Sequence, residues 1–180
     1  MPQSIEELDL NHELSKNELR DVIKAEASNI HIKDIMLAAS FLREDAQYMP
    51  KSYRDDYIER FSKAFFSKIR EIKEDKKDYP GCVNRKNLNE FLELLALQST
   101  NARNNSEKCF VRIARIISTY TTFVCEEPIH PVGTKFPGGF VLHLEDGKYL
   151  CPVKNRQMKN PSALCKFCVS IQDKKMNSVG

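Results

Sequence analysis

The chain has 180 residues, 41% hydrophobic and 29% charged, which is a globular composition with room for one domain and a real core but not for two full-sized domains. No apolar run approaches the roughly 20 residues that a membrane-spanning helix needs, and the acidic start Met1–Glu7 is not expected to act as a signal peptide. Lys and Arg number 28 against 25 Asp and Glu, an excess that a solvated surface explains without nucleic acid.

Residues 1 to about 126 read as successive helices. Ser15 and Glu18 form a capping-box pattern ahead of Leu19, Val22 and Ile23, which share one helical face. Ile32, Ile35, Met36, Ala39 and Leu42 then recur at helical spacing until Pro50 stops the segment. A long third helix opening at Ser52 carries the stripe Tyr57, Ile58, Phe61, Phe65, Ile69 and Ile72, and its charged end runs from Lys73 to Asp78. A turn at Tyr79–Cys82 leads to a fourth helix started by Asn84 or Asn87, with Leu88, Phe91, Leu92 and Leu95 inward. Ser106 and Glu107 begin a fifth, Phe110 to Val124. Basic residues on the third helix and around the fifth alternate with acids and read as solvated faces.

After Pro128 the helical pattern ends, and four of the six glycines fall between Gly133 and Gly147. Phe140–Leu144 and Lys148–Val153 each alternate apolar and polar residues on either side of Asp146-Gly147, the pattern of a β-hairpin whose turn needs positive φ. Asn160 and Pro161 supply an N-cap and a first-turn proline for a last short helix, which sets Cys165 and Cys168 on one helical face. The architecture expected is therefore mainly α: a bundle of about five helices over 1–126. Residues 127–180 add an irregular loop, a hairpin and a short helix, forming one compact unit with the bundle.

Cysteine placement carries the clearest chemical signal. Cys151 arrives on the second hairpin strand and the C-x2-C pair Cys165 and Cys168 on the helix, so three soft sulfurs converge from two segments. The expected centre is an iron–sulfur cluster or Zn. The Cys151-Pro152 dipeptide and the single C-x2-C pair suit the first, and thiolate chemistry in general suits the second. Cys82, in a turn that is an odd place for a core thiol, is the favoured fourth ligand, with Cys125 and His130 as alternatives; Cys109 is a core thiol on its helix. Six cysteines without a secretory signal point to a reducing cytoplasm.

The loop His130–Gly139 is the second constellation. As a binding loop it offers the His130 imidazole and the backbone N–H groups of Gly133, Gly138 and Gly139 to an anion; as a connector its prolines and glycines only turn the chain. Neither common glycine-rich nucleotide cradle is present. The leading expectation is a cytoplasmic metal-binding protein with a structural or redox site. The alternatives are an enzyme acting on a small anionic substrate at the His130 loop and a metal-free helical module for a protein partner.

The motifs His130–Gly139, Asp146–Tyr149, Cys151–Lys154 and Ala163–Cys168 resemble an uncharacterised archaeal family found largely in methanogens. The resemblance implies a cytoplasmic archaeal setting and no particular activity.

Overall fold

The computed structural model describes residues 4–176; the first three residues and the last four of the 127–180 segment lie outside the described part. The protein is mainly α, with five long helices and a small strand-bearing lobe at the C-terminal end. Helix α1, Lys16–Ser28, begins with the expected reciprocal cap: the Glu18 N–H donates to Ser15 Oγ at 3.1 Å and the Ser15 N–H to Glu18 Oε2 at 2.8 Å. Leu19, Val22 and Ile23 are buried as their spacing predicts. Helix α2, Ile32–Asp45, departs from expectation, because Ile32 and Met36 stay exposed, at 76% and 66%. The face that packs centres on Ala38 and Leu42, and at roughly 100° per residue Ile32 and Met36 fall well round the helix from it.

Helix α3, Lys51–Glu74, buries Phe65, Ile69 and Ile72. Helix α4, Arg85–Thr100, is capped by the Asn84 side chain, which accepts from the Asn87 N–H at 3.0 Å. Helix α5, Asn105–Thr119, starts slightly earlier than the sequence suggests, because Asn104 caps it by accepting from the Glu107 N–H at 2.9 Å. It is the hub of the bundle, with Ile113 and Ile116 fully buried. It runs on into a π-helical turn, Tyr120–Val124, all five of whose residues are buried and whose Tyr120 carbonyl accepts from the Cys125 N–H at 3.0 Å.

Two buried polar links tie these elements together. Glu26 on α1 receives the Ile5 N–H at 3.0 Å and pairs with Arg115 of α5, which also reaches Glu6. At the other end, Tyr120 donates its hydroxyl to Asp75 Oδ2 at 2.8 Å while Tyr79 lies 3.0 Å from the Tyr120 oxygen. Burial alone pushes the Asp75 carboxyl up; the Lys77 N–H, the hydroxyls of Tyr120 and Tyr79 and nearby Arg20 outweigh it and hold the group below the ordinary carboxylate range.

After the bundle the chain reverses at Glu126, whose φ of 54° is unusual for a side-chain-bearing residue. The expected first hairpin strand is divided at buried Leu142. Its first half, β2 (Phe140–Val141), pairs with β1 (Lys135–Phe136), and its second, β3 (His143–Glu145), pairs antiparallel with β4 (Lys148–Cys151). The β3–β4 turn is Asp146-Gly147 with φ of 50° and 74°, the doubly positive geometry that this dipeptide favours. Strand β5, Ile171–Gln172, joins β4 in parallel. The helix expected from Pro161 does not form. Asn160 instead closes a local turn, accepting the Ser162 N–H on its side chain at 3.0 Å and the Ala163 N–H on its carbonyl at 3.1 Å. The regular turns lie on either side of it, as α6 (Lys154–Gln157) and a 3-10 turn at Leu164–Lys166. The lobe leans on the bundle through Phe167 against Phe91, with ring centroids 5.3 Å apart, and through Tyr53, whose hydroxyl donates to the Lys135 carbonyl at 2.5 Å.

Tyr120→Phe is expected to lower stability by about 1.5–3 kcal/mol in urea unfolding, since a buried charged acceptor loses its donor. Because Asp75 is held ionised in the fold, its contribution is complete above the unfolded carboxylate range and is lost as pH falls through that range and below. Stability measured over that acid window should therefore fall less steeply in Asp75→Asn than in the wild type.

Candidate functional site

Cys151 ends β4, is buried at 5% exposure, and uses its carbonyl to accept the Asp173 N–H at 3.0 Å, which fixes it against β5. Cys165 sits in the 3-10 turn, and the Cys168 N–H donates back to the Cys165 carbonyl at 3.2 Å. Cys165 and Cys168 are therefore three residues apart across a tight turn rather than on the expected helical face. Lys154 reaches under this turn and donates to both carbonyls, that of Cys168 at 2.9 Å. Cys168 Sγ lies 3.1 Å from Ser170 Oγ.

The three sulfurs share one electrostatic environment. Burial pushes the Cys151 thiol up and Cys168 adds to this; the N–H groups of Val153 and Lys154 and the Lys154 ammonium pull it back. Burial likewise raises Cys165, whose titration feels both Cys168 and Cys151. Protonated thiols are thus favoured at Cys151 and Cys165, and a soft cation binding there would displace their protons. Among the described residues, no group of three or more His, Cys, Asp or Glu side chains is arranged to hold a metal ion as it stands.

The other candidate ligands have separate surroundings. Cys82 is exposed in an antiparallel bridge with Ser15, and its thiol donates to the Glu13 carboxylate, which keeps the proton on the sulfur and raises the group. Cys109 is half-buried on α5 with Asp34 Oδ1 3.9 Å from its sulfur. Cys125 follows the π-helical turn, 3.8 Å from the Tyr79 hydroxyl, and its thiol is raised chiefly by burial. This chain of Asp75, Tyr120, Tyr79 and Cys125 has no sequence motif.

His130 packs edge-on against Phe136, with centroids 5.5 Å apart, and burial pushes its imidazole down, toward the neutral form. The Gly133 N–H donates to the Leu142 carbonyl at 2.8 Å and the Gly139 N–H to the Phe136 carbonyl at 3.1 Å, so these two donors close turns within the lobe instead of facing an anion. Gly138, at φ 96°, has the Phe140 ring where a Cβ would stand, 2.6 Å away, so its lack of a side chain serves the turn. The loop roofs a cavity of about 540 Å³ between α3, α4, α5 and the lobe, and His130 lines it. A smaller hollow of about 300 Å³ lies on the α3 side of Pro131 and Val132.

Several basic side chains weighed for nucleic acid are answered locally: Lys68 by Glu71, Arg70 by Glu74, Arg103 by Glu107 and Lys73 by the Ile30 carbonyl. No described helix is long and apolar enough to cross a membrane.

A family described as an uncharacterized protein conserved in archaea (DUF2115) matches residues 15–173, and the chain belongs to it. A UPF0305 protein of Methanothermobacter thermautotrophicus is 52% identical over 160 residues, covering 89% of this chain and 98% of that protein. A UPF0305 protein of Methanocaldococcus jannaschii is 32% identical over 158 residues, covering 87% and 95%. One from Methanopyrus kandleri is 27% identical, over 77% of this chain and 96% of its own length. No solved structure matches the chain. The resemblance to an uncharacterised archaeal family holds, and it brings no activity with it.

Cys82 is the exposed thiol of the six. Reaction of the native protein with a disulfide reagent should show one fast thiol that disappears in Cys82→Ser. Its rate should go on climbing with pH beyond the range where an ordinary thiol is fully ionised, because Glu13 holds the proton on the sulfur.

Proposed function

We propose that this is a cytoplasmic metal-binding protein whose C-terminal lobe closes Cys151, Cys165 and Cys168 on one soft centre, Zn or an iron–sulfur cluster, in a structural or redox role. The observation behind the reading is that Cys151 on β4 and Cys165 and Cys168 in the later turn lie within electrostatic reach of one another, with the N–H groups of Val153 and Lys154 and the Lys154 ammonium partly offsetting the burial that raises Cys151. Small size is the second support. The strands of the lobe are two to four residues long, and such a unit buries too little apolar surface to be firm alone. A metal supplies folding free energy in that situation, and drawing the sulfurs together is part of binding.

A three-thiolate set leaves a fourth position for water or an external ligand, since Cys82 and Cys125 make their own contacts with Glu13 and Tyr79, and His130 faces the cavity beside Phe136. Six free thiols support the reducing compartment.

Protein purified without oxygen should contain about one centre per chain by elemental analysis, with a visible absorption band if it is iron–sulfur and none if it is Zn. The Cys151→Ser, Cys165→Ser, Cys168→Ser triple variant should lose it, and chelation should loosen residues 128–172 in hydrogen exchange before the bundle. Preparations free of iron and zinc, with all six native thiols titrating freely, would sink the reading.

A further inference from the structure

The cavity between bundle and lobe contains none of the six cysteines in its lining, so its capacity for a ligand is independent of the metal reading. Protein interiors leave few voids larger than a water molecule. This hollow, about 540 Å³, is more than three times the roughly 150 Å³ engineered cavity that takes up benzene, and it falls inside the range of small-molecule sites. Its size has a structural cause. Ala64 on α3 and Ala114 on α5 present methyl groups where larger side chains would have filled the gap under the 127–132 segment.

The lining also restricts what fits. One wall is a row of rings: Phe61 stacks on Phe65 at 5.2 Å and Phe65 on Phe110 at 5.4 Å, with interplanar angles of 24° and 16°. Such a surface favours a flat ring-bearing guest. The hydroxyls of Ser118 and Thr121 are turned back onto the helix, donating to the carbonyls of Ala114 at 2.6 Å and Ile117 at 2.7 Å. Lys68, at the rim, is held between Glu71 at 2.9 Å and Glu127 at 3.7 Å, which leaves no uncompensated positive charge for an anion. His130 contributes an imidazole whose contact in the structure is with the Phe136 ring, leaving its nitrogens available to a guest.

We infer that this cavity is a binding site for an uncharged, ring-bearing, largely apolar small molecule that stacks along Phe61, Phe65 and Phe110 and makes one hydrogen bond to His130. The anionic substrate considered for the same loop does not suit it, because a bare negative charge would have to displace a carboxylate from Lys68 or be desolvated unpaired.

The test uses the full chain and the neutral fluorophore 1-aminoanthracene, with anthracene-9-carboxylate as its anionic counterpart, both at pH 7.5. The wild type should bind the neutral probe saturably at one site per chain and the anion at least tenfold more weakly. Ala114→Phe and Ala64→Phe, which fill the hollow from opposite helices, should each weaken the neutral probe at least tenfold while keeping the helical circular dichroism of the wild type. If one of them does not fold, the other decides. His130→Leu should weaken the probe, and in the wild type the His130 ring resonances should shift on titration. Absence of saturable binding, binding indifferent to both filling variants, or equal affinity for the anion would each overturn the inference.

Discussion

The hydrogen-bonded link from Asp75 through Tyr120 to Tyr79 fixes where the rest of the molecule can go. Asp75 ends α3, Tyr79 lies in the connection to α4, and Tyr120 opens the π-helical turn after α5, so three separate pieces of chain meet at two short contacts. A π-helical turn has a wider ladder than an α-helix, and proteins retain one where it re-aims a side chain. Here it turns Tyr120 fully inward and delivers the chain to Glu126 in a left-handed conformation. Everything after Glu126 takes its direction from that corner, including the loop over the cavity and the lobe that bears the cysteine trio.

The lobe is held at its two ends more than at its middle. At one end Phe167 meets Phe91, and at the other Tyr53 grips the Lys135 carbonyl. Between them the bundle offers the ring row of Phe61, Phe65 and Phe110 together with the small residues Ala64 on α3 and Ala114 on α5, and the lobe bridges that stretch rather than filling it. A chain under pressure only to pack would place a large aliphatic residue at Ala64 or Ala114, because filling a cavity is among the easiest routes to extra stability.

Features set by neighbours in the chain are legible in the sequence. Ser15 with Glu18, Asn84 as a cap, and Asp146-Gly147 as a tight turn are each decided within four residues, and each is present in the fold. The mainly α character and the change of pattern after Pro128 follow from the same local rules. Where two local rules compete, the sequence is ambiguous: Asn160-Pro161 fits a helix start, yet the Asn160 side chain is satisfied by a turn two residues long. The second helix misleads for a different reason. Ile32 and Met36 match a helical period, but which arc of a helix faces inward depends on its partner, and α5 meets the arc of Ala38 and Leu42. That Cys151 lies within electrostatic reach of Cys165 and Cys168 can be anticipated because one hairpin and one turn separate them. The surroundings of Cys82 cannot, since they depend on residues 13 to 18, far away in sequence.

The two candidate sites are joined through the backbone. Leu164 lines the cavity and is followed at once by Cys165; Tyr149 lines it too, two residues before Cys151 on the same strand. Side chains two apart on a strand share a face, so a movement of β4 that brings Cys151 toward its partners also displaces Tyr149. On the proposed reading, closing the trio on a metal pulls the 3-10 turn and β4 together and with them two walls of the cavity. A guest in the cavity in turn resists or assists that closure, because coupling between two sites acts with equal free energy in both directions. With strands this short, little else in the lobe opposes such a movement, so on those two proposals together the lobe would act as one element answering to two ligands rather than as two sites that happen to adjoin.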